Sequence, residues 1–346
     1  MRKIPRDELE GRDRSEVGDR SAPRDELAVL EKIEGLLPGG PDSEVWIGDD
    51  AAVIDLQGRA LLASVDLSVE GVHFDMGISS YSEVGWKALA TAVSDIAAMG
   101  GEPLRCLVGF SCGHDIDIEG LYEGLVQAAD RYNCPIVGGD ISGGGALVIS
   151  VAVTGSMSER ARPVLRSGAR PGNLLYTTGP LGGSAYGLRL LRQSGGELDI
   201  ATDPGSSIAV NVEDAAGGNY KAAIARYRRP EVRIEEGRAA GLAGVNAMMD
   251  ISDGLALDLH RMMAASGTGA EIEHVPVFAG ATLEDALGGG EDYELLMATG
   301  EPDYLMEVFS SMGLPAPLQI GRCTDTPGDV CLNGQTLPPY GYTHSL

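Results

Sequence analysis

Aspartate recurs in this chain where a folded domain usually places apolar residues, beside glycine and at the ends of apolar runs. Asp49-Asp50 follows Gly48 and precedes Ala51–Val53. Ser64-Val65-Asp66 closes the run Leu61–Val65, and Asp95 sits between Val93 and Ile96 inside a helical pattern. Val137-Gly138-Gly139-Asp140 repeats the arrangement, as do Met249-Asp250-Ile251-Ser252-Asp253-Gly254 and Gly288-Gly289-Gly290-Glu291-Asp292-Tyr293-Glu294. A carboxylate beside a core must reach solvent or a partner. Elements carrying such residues can therefore pack only in ways that leave their polar ends accessible to one another or to water.

Taken singly, each segment has an ordinary reading. Asp49-Asp50 reads as an Asp turn or as a chelating pair. Asp95 reads as a solvated helix edge or as an acid that needs a partner, with Ala92 and Ala98 leaving room for one. Ser252 and Asp253 fit a helix N-cap, and His73 fits a core or surface histidine. Taken together, they suggest carboxylates from several strands and helices converging on one site. Two unit charges 4 Å apart repel by about 4 kcal/mol at an effective dielectric of 20, so such a cluster calls for cations. Oxygen ligands without cysteine favour Mg2+ or Mn2+ over zinc. Magnesium held by a few carboxylates commonly bridges substrate phosphates, which points to phosphoryl transfer.

The elements alternate irregularly. Strands are expected at Val45–Ile47, Ala52–Asp55, Leu61–Val65, Leu107–Ser111, Pro135–Val137, Leu147–Val153, Asn173–Thr178, Ala247–Ile251, Ala270–His274 and Glu294–Ala298. Helices are expected at Glu26–Leu37, Ser82–Met99, Glu119–Tyr132, Ser184–Gln193, Ile234–Ala243, Leu255–Ala265 and Pro302–Met312. This order suits an α/β or α+β sandwich better than a doubly wound sheet. Residues 1–24 read as a mobile N-terminal extension and 194–218 as an inserted Gly-rich surface loop. The boundary between an N-terminal domain, 25–160, and a C-terminal domain, 161–346, is placed just before the turn cluster at 166–172.

Charge and composition exclude several functions. The chain has 346 residues, with 26 basic and 51 acidic groups and a formal charge of −25. Residues 1–26 carry seven basic and eight acidic groups, so −24 belongs to the rest. Such a chain repels nucleic acid and anionic membrane. Its only lysines are Lys3, Lys32, Lys87 and Lys221, and none follows a glycine, so no Walker A loop is present. Nor do HRD or DFG triplets occur. Five cysteines without a CxxC fit free thiols in a reducing cytosol. No apolar run approaches 18 residues, and a cytoplasmic protein is expected.

The segments Gly48-Asp-Asp-Ala-Ala-Val53, Ser64-Val-Asp66, Glu70-Gly-Val-His-Phe74, Lys87-Ala-Leu-Ala90, Ser94-Asp-Ile-Ala-Ala-Met-Gly100, Gly138-Gly-Asp140, Arg166-Ser-Gly-Ala-Arg-Pro-Gly172, Asp250-Ile-Ser-Asp-Gly254 and Gly289-Gly-Glu-Asp-Tyr-Glu-Leu295 occur in that order. Together, from about residue 25 onward, they closely resemble the thiamine-monophosphate kinase family. That family lies within a superfamily that includes aminoimidazole ribonucleotide synthetase, selenophosphate synthetase and hydrogenase-maturation enzymes. The resemblance implies a two-domain fold of the aminoimidazole ribonucleotide synthetase type, with an N-terminal sheet domain and a C-terminal α/β sandwich. It implies ATP-dependent phosphorylation of thiamine monophosphate to thiamine diphosphate, with several Mg2+ ions and a homodimer. The family's metal ligands fall on Asp50, Ser64, Val65, Asp66, Asp95, Asp140, Asp250 and Asp253. Nucleotide contacts fall on Tyr122, Gly139, Asp140, Arg166 and Ser252, and substrate contacts on His73, Glu291 and Tyr342. Asp66, Asp140 and Arg166 are the implied catalytic residues. Two departures are plain: Val65 stands where threonine is frequent, leaving only its carbonyl for a metal, and Ile141-Ser142 replaces a common Thr-Thr. A synthetase of the same superfamily and a non-catalytic nucleotide or metal sensor are the rival readings.

Overall fold

The computed structural model describes residues 41–113, 115–158, 161–195 and 219–344, together with Val29, Ile33 and Leu36. The expected extension 1–24, most of the helix 26–37 and the stretch 196–218 lie outside the described residues.

The alternating pattern of the first half builds a five-stranded sheet in the order β1-β2-β5-β3-β4. Its strands are β1 (Ala52–Asp55), β2 (Ala60–Val69), β3 (Glu102–Cys112), β4 (Ile136–Gly143) and β5 (Val148–Ser156). All neighbours are antiparallel except β3 and β4. Period-two alternation sends Leu62, Val108, Phe110, Ile149, Val151 and Val153 to one face. There α1 (Tyr81–Ala98) and α2 (Ile118–Arg131) close the core with Leu89, Val93, Ile96, Leu121 and Leu125. A capping box between Ser80 and Glu83 starts α1. Nearly every side chain along α1 is buried because the helix also packs against elements of the second half.

The second half forms a seven-stranded sheet, β12-β11-β8-β10-β6-β9-β7. Its strands are β6 (Leu174–Thr177), β7 (Ala247–Asp250), β8 (Gly269–Ile272), β9 (Leu295–Thr299), β10 (Leu318–Thr324), β11 (Val330–Leu332) and β12 (Gln335–Thr336). Helices α3 (Gly183–Gln193), α4 (Tyr220–Arg228), α5 (Ile234–Ala243), α6 (Leu255–Ser266), α7 (Leu283–Gly288) and α8 (Pro302–Ser311) accompany it. Leu175, Met249 and Leu296 pack with Leu255, Leu259 and Met262 of α6. Tyr176, Met248 and Met297 pack with Ala239, Ala240, Leu305 and Phe309 of α5 and α8. Both sheets are mostly antiparallel, as a sandwich requires and a doubly wound sheet does not.

Several boundaries differ from the sequence reading. Val45–Ile47 is no strand; Val45 makes one bridge to Val53, and Trp46 and Ile47 are exposed. β2 and β4 run past Asp66 and Asp140, so both acids lie inside strands rather than at their exits. The cause in β2 is its pairing with β5, which continues unbroken from Leu61–Ser156 to Val69–Val148. Helices α4 and α7 and strands β10, β11 and β12 were not foreseen, being short or lying beyond the clear apolar periodicities.

The loop before β9 anchors the second half through two buried acids. Asp292 accepts the Gly182 and Ser184 N–H groups where α3 begins. Glu294 accepts Thr178 Oγ1 at 2.6 Å and both Nε and an Nη of Arg233 at 2.8 and 2.6 Å, and it pairs with Arg226 at 3.2 Å. Burial pushes the Asp292 carboxyl up to about 7, against the two N–H groups that favour its charged form. Its folded value exceeds its unfolded one, so the folded state holds the proton longer and stability falls as pH rises across that interval. Replacing it by Asn removes this slope. The stability of Asp292→Asn relative to wild type therefore increases between pH 4 and pH 7, as measured by urea unfolding at each pH. A difference independent of pH contradicts the assignment.

Candidate functional site

Four local structures deliver the acids. Asp50 lies in the turn before β1, Asp95 on the C-terminal half of α1, Asp250 at the end of β7, and Ser64 and Asp66 on the helix-facing side of β2. One carboxylate oxygen from each of Asp50, Asp95 and Asp250 lies within 4.8 Å of the others. Ser64 donates a short hydrogen bond to Asp95, and Ser94 Oγ donates to Asp250 Oδ2 at 2.6 Å. The oxygen Asp50 Oδ1 accepts Arg166 Nε and an Nη at 3.2 and 2.6 Å. Its other oxygen, Oδ2, is buried and accepts no hydrogen bond. The Arg166 N–H donates to the Asp49 carboxylate, which fixes the turn holding both acids.

The cluster is electrostatically loaded. Burial raises the carboxyls of Asp50, Asp66, Asp95 and Asp250 above the usual carboxylate range. After burial, Asp66, Asp250 and Asp50 raise Asp95, while Asp50 raises Asp250 and Asp253 raises Asp66. Asp66 and Asp253 thus lie within electrostatic reach of the three-carboxylate group. Asp49 is pushed up to about 6 by burial and by Asp50.

The donor set fits a hard divalent cation. All its atoms are oxygens, no cysteine or histidine among the described residues joins the three, and the orphaned Asp50 Oδ2 lacks the partner that a buried acceptor requires.

Other site residues gather around this centre. Gly254 is the N-cap of α6, with φ +114° and a Cβ position 2.9 Å from backbone of the 287–288 segment. Neither Ser252 nor Asp253 caps that helix, so the capping reading is corrected; the tight Gly254 turn leaves both in the preceding loop. Asp253 pairs instead with Arg261, and its N–H donates to Asp258 Oδ2 at 3.0 Å. The Glu291 and Tyr342 N–H groups donate to the Ser252 and Asp253 carbonyls at 2.7 and 3.0 Å. That draws both residues to the Asp250–Gly254 loop. His73 is half-buried, and its Nδ1 accepts the Val69 N–H at 3.0 Å. Lys87 Nζ pairs with Glu291 Oε1 at 2.6 Å.

Asp140 stands apart from the three-carboxylate group. It is exposed on β4, opposite Gly109. Gly139 beside it has no room for a side chain, since a Cβ there meets the Val108 carbonyl oxygen at 1.8 Å. Tyr122 on α2 packs edge-on against Phe110 of β3, with ring centroids 6.1 Å apart. Val65 points its side chain away from the cluster, 62 % exposed, because it alternates with Ser64 and Asp66.

Sequence reasoning missed several supporting groups: Ser94, Arg261, Asp258, and Thr91, whose hydroxyl donates to the Ala88 carbonyl at 3.1 Å and lowers the Asp66 carboxyl from nearby. Thr91 and Ser94 were legible in principle, since they lie four and one residues before Asp95 on one stripe of α1.

Residues 48–157 match the N-terminal domain of AIR synthase related proteins, and residues 170–331 match the C-terminal domain of that family. The thiamine-monophosphate kinase of Bacillus subtilis is 36% identical over 306 residues, covering 84% of this chain and 89% of that protein. The Escherichia coli K12 thiamine-monophosphate kinase is 33% identical, covering 88% and 92%. A solved structure described as AaThiL complexed with AMPPCP and TMP superposes with a TM-score of 0.77 at 32% identity, covering 92% of this chain and 97% of that one. The hydrogenase maturation protein HypE, at 20% identity and a TM-score of 0.58, shares the fold.

Removing one like charge relieves the cluster when cation is absent. Asp95→Asn therefore raises the melting temperature in EDTA. Saturating Mg2+ stabilises the wild type by mass action and raises the variant's melting temperature by less. Scanning calorimetry with EDTA and with Mg2+ checks both; a wild type indifferent to Mg2+ contradicts the fit.

Proposed function

Since the chain belongs to the thiamine-monophosphate kinase family, we propose that the carboxylate cluster around Asp50, Asp95 and Asp250 is its active centre, where ATP and thiamine monophosphate meet. The reaction is transfer of the ATP γ-phosphate to thiamine monophosphate, giving thiamine diphosphate. The observation that carries the placement is the three-carboxylate group with its unpartnered Asp50 Oδ2. Magnesium, when bound, neutralises the phosphate oxygens and the charge that develops on the transferred group. Asp50, Asp66, Asp95, Asp250 and Asp253 would hold it, together with Ser64, the Val65 carbonyl and Asp140.

The chain's own residues orient the reactants. Arg166 is anchored by Asp50 and Asp49 at the rim of the cluster, where its guanidinium supplies positive charge to a nucleotide phosphate. Gly139 lets a nucleotide approach the β4 backbone closely, and Tyr122 and Ser252 complete the nucleotide contacts. His73 and Glu291 position the pyrimidine end of the substrate, and the Tyr342 ring stacks on the vitamin. No general base is required, because the acceptor phosphate oxygen is already ionised at neutral pH.

The division into 25–160 and 161–346 belongs to the same proposal, with each half contributing acids to one centre. So does a homodimer. Val65, Ala152 and Leu107 align across β2, β5 and β3 on the face opposite the helices. Val65 and Leu107 are exposed there, as are Leu67, Val137 and Ile141 elsewhere on β2 and β4. A second copy of the same sheet is the proposed cover for this apolar surface. Among the described residues no helix is long and apolar enough to cross a membrane, and all five cysteines are free. Both support a cytoplasmic site of action.

Purified protein forms ADP and thiamine diphosphate in equal amounts only when Mg2+, ATP and thiamine monophosphate are all present. ATP binding without ADP release overturns the kinase reading. Asp66→Ala and Asp140→Ala each lower kcat at least about 100-fold while the circular dichroism spectrum is retained, the scale of several kcal/mol of lost charge stabilisation. Near-normal turnover in both contradicts the placement. Light scattering gives twice the chain mass for the wild type, and Leu107→Lys shifts it toward the monomer.

A further inference from the structure

Lys87 is an anomaly in the core of α1. It is buried, at 6 % exposure, on a helix whose neighbouring positions are Trp86, Ala88, Leu89 and Ala90. A lysine in such a place costs stability unless its charge is met, and an apolar residue of similar volume often serves a purely structural role as well or better. Three other elements meet this charge. Glu291 Oε1 lies 2.6 Å from Nζ, the centroid of the Tyr227 ring on α4 lies 4.1 Å away, and the His73 carbonyl oxygen lies 3.5 Å away. Glu291 and His73 are the side chains placed at the substrate's pyrimidine end, and they come from opposite halves of the chain.

Glu291 also adopts φ +67°, the left-handed region that a residue with a side chain occupies at a cost. Its backbone is held there by the bond to the Ser252 carbonyl, and Lys87 holds its carboxylate. Along α1, Lys87 lies on the stripe that carries Thr91, Ser94 and Asp95. Eight residues separate it from Asp95, a rise of about 12 Å at 1.5 Å per residue.

We propose that Lys87 is a positioning residue for the organic end of the substrate, clamping the Glu291 carboxylate and the His73 backbone at a distance from the metal cluster set by α1. This rests on the placement of Glu291 and His73 at the substrate. Tyr227 walls the clamp on the lysine's side.

The test uses Lys87→Met, Lys87→Arg, Glu291→Gln and the double variant Lys87→Met/Glu291→Gln in the full chain. ADP release is followed with thiamine monophosphate varied and then with ATP varied. Lys87→Met raises KM for thiamine monophosphate about tenfold or more, leaving KM for ATP within about twofold, as expected when only one substrate's positioning is lost. Lys87→Arg restores most of the difference, and the double variant is no worse than the poorer single one. Near-ultraviolet circular dichroism confirms the native fold of each variant, and Lys87→Gln substitutes where Met is not tolerated.

Unchanged KM values in the Lys87 variants, equal rises for both substrates, or additive effects in the double variant overturn the proposal. If Glu291→Gln raises KM and Lys87→Met does not, the clamp alone fails. If Glu291→Gln leaves KM unchanged, the placement of Glu291 at the substrate fails and the role of Lys87 falls with it.

Discussion

Asp50, Asp95 and Asp250 offer oxygens within 4.8 Å of one another in a buried setting, and three negative charges cannot stay that close unaided. At an effective dielectric of 20 each pair at about 4 Å costs about 4 kcal/mol. The fold supplies partial relief through Arg166 on Asp50, Ser64 on Asp95 and Ser94 on Asp250. One oxygen, Asp50 Oδ2, receives nothing. The two halves of the molecule are held around this deficit. Asp95 and Ser94 ride on α1, which packs against both halves, and Asp250 ends a strand of the second sheet.

Helix α1 connects the electrostatics to specificity. Its apolar residues are buried almost all round, so each polar residue along it stands out. Lys87, Ser94 and Asp95 each face a named partner: Glu291, Asp250 and Ser64. In the proposed reading, one rigid element thereby carries metal ligands at one end and the substrate-positioning lysine at the other. The loop before β9 is fastened just after Glu291, because Asp292 and Glu294, on either side of Tyr293, tie it to α3, α4 and the start of α5.

Much of this was legible in the residue order. The strands and helices that bear Asp66, Asp95 and Asp250 follow from apolar periodicity, and their convergence follows from the cost of leaving those acids unpaired. Three things were not legible. β2 and β4 run through Asp66 and Asp140 because cross-strand pairing, which no local pattern reports, extends them. Asp253 looked like a cap but pairs with Arg261, a partner eight residues away across a helix that begins at Gly254. Lys87 looked like part of a motif, and only the fold brings Tyr227 and Glu291 to it. The acidity of the chain acquires two meanings. A few aspartates form the proposed centre, and under that proposal the large remaining negative charge lets phosphorylated ligands approach only where cations and Arg166 reverse the local sign.

That dependence on cations is the central claim, and nucleotide binding without turnover tests it most directly. A non-hydrolysable ATP analogue titrated into the protein by calorimetry is predicted to give no measurable heat of binding in EDTA and saturable binding once Mg2+ is added, with Asp95→Asn weakening the latter. Equal affinity with and without Mg2+ would contradict the account.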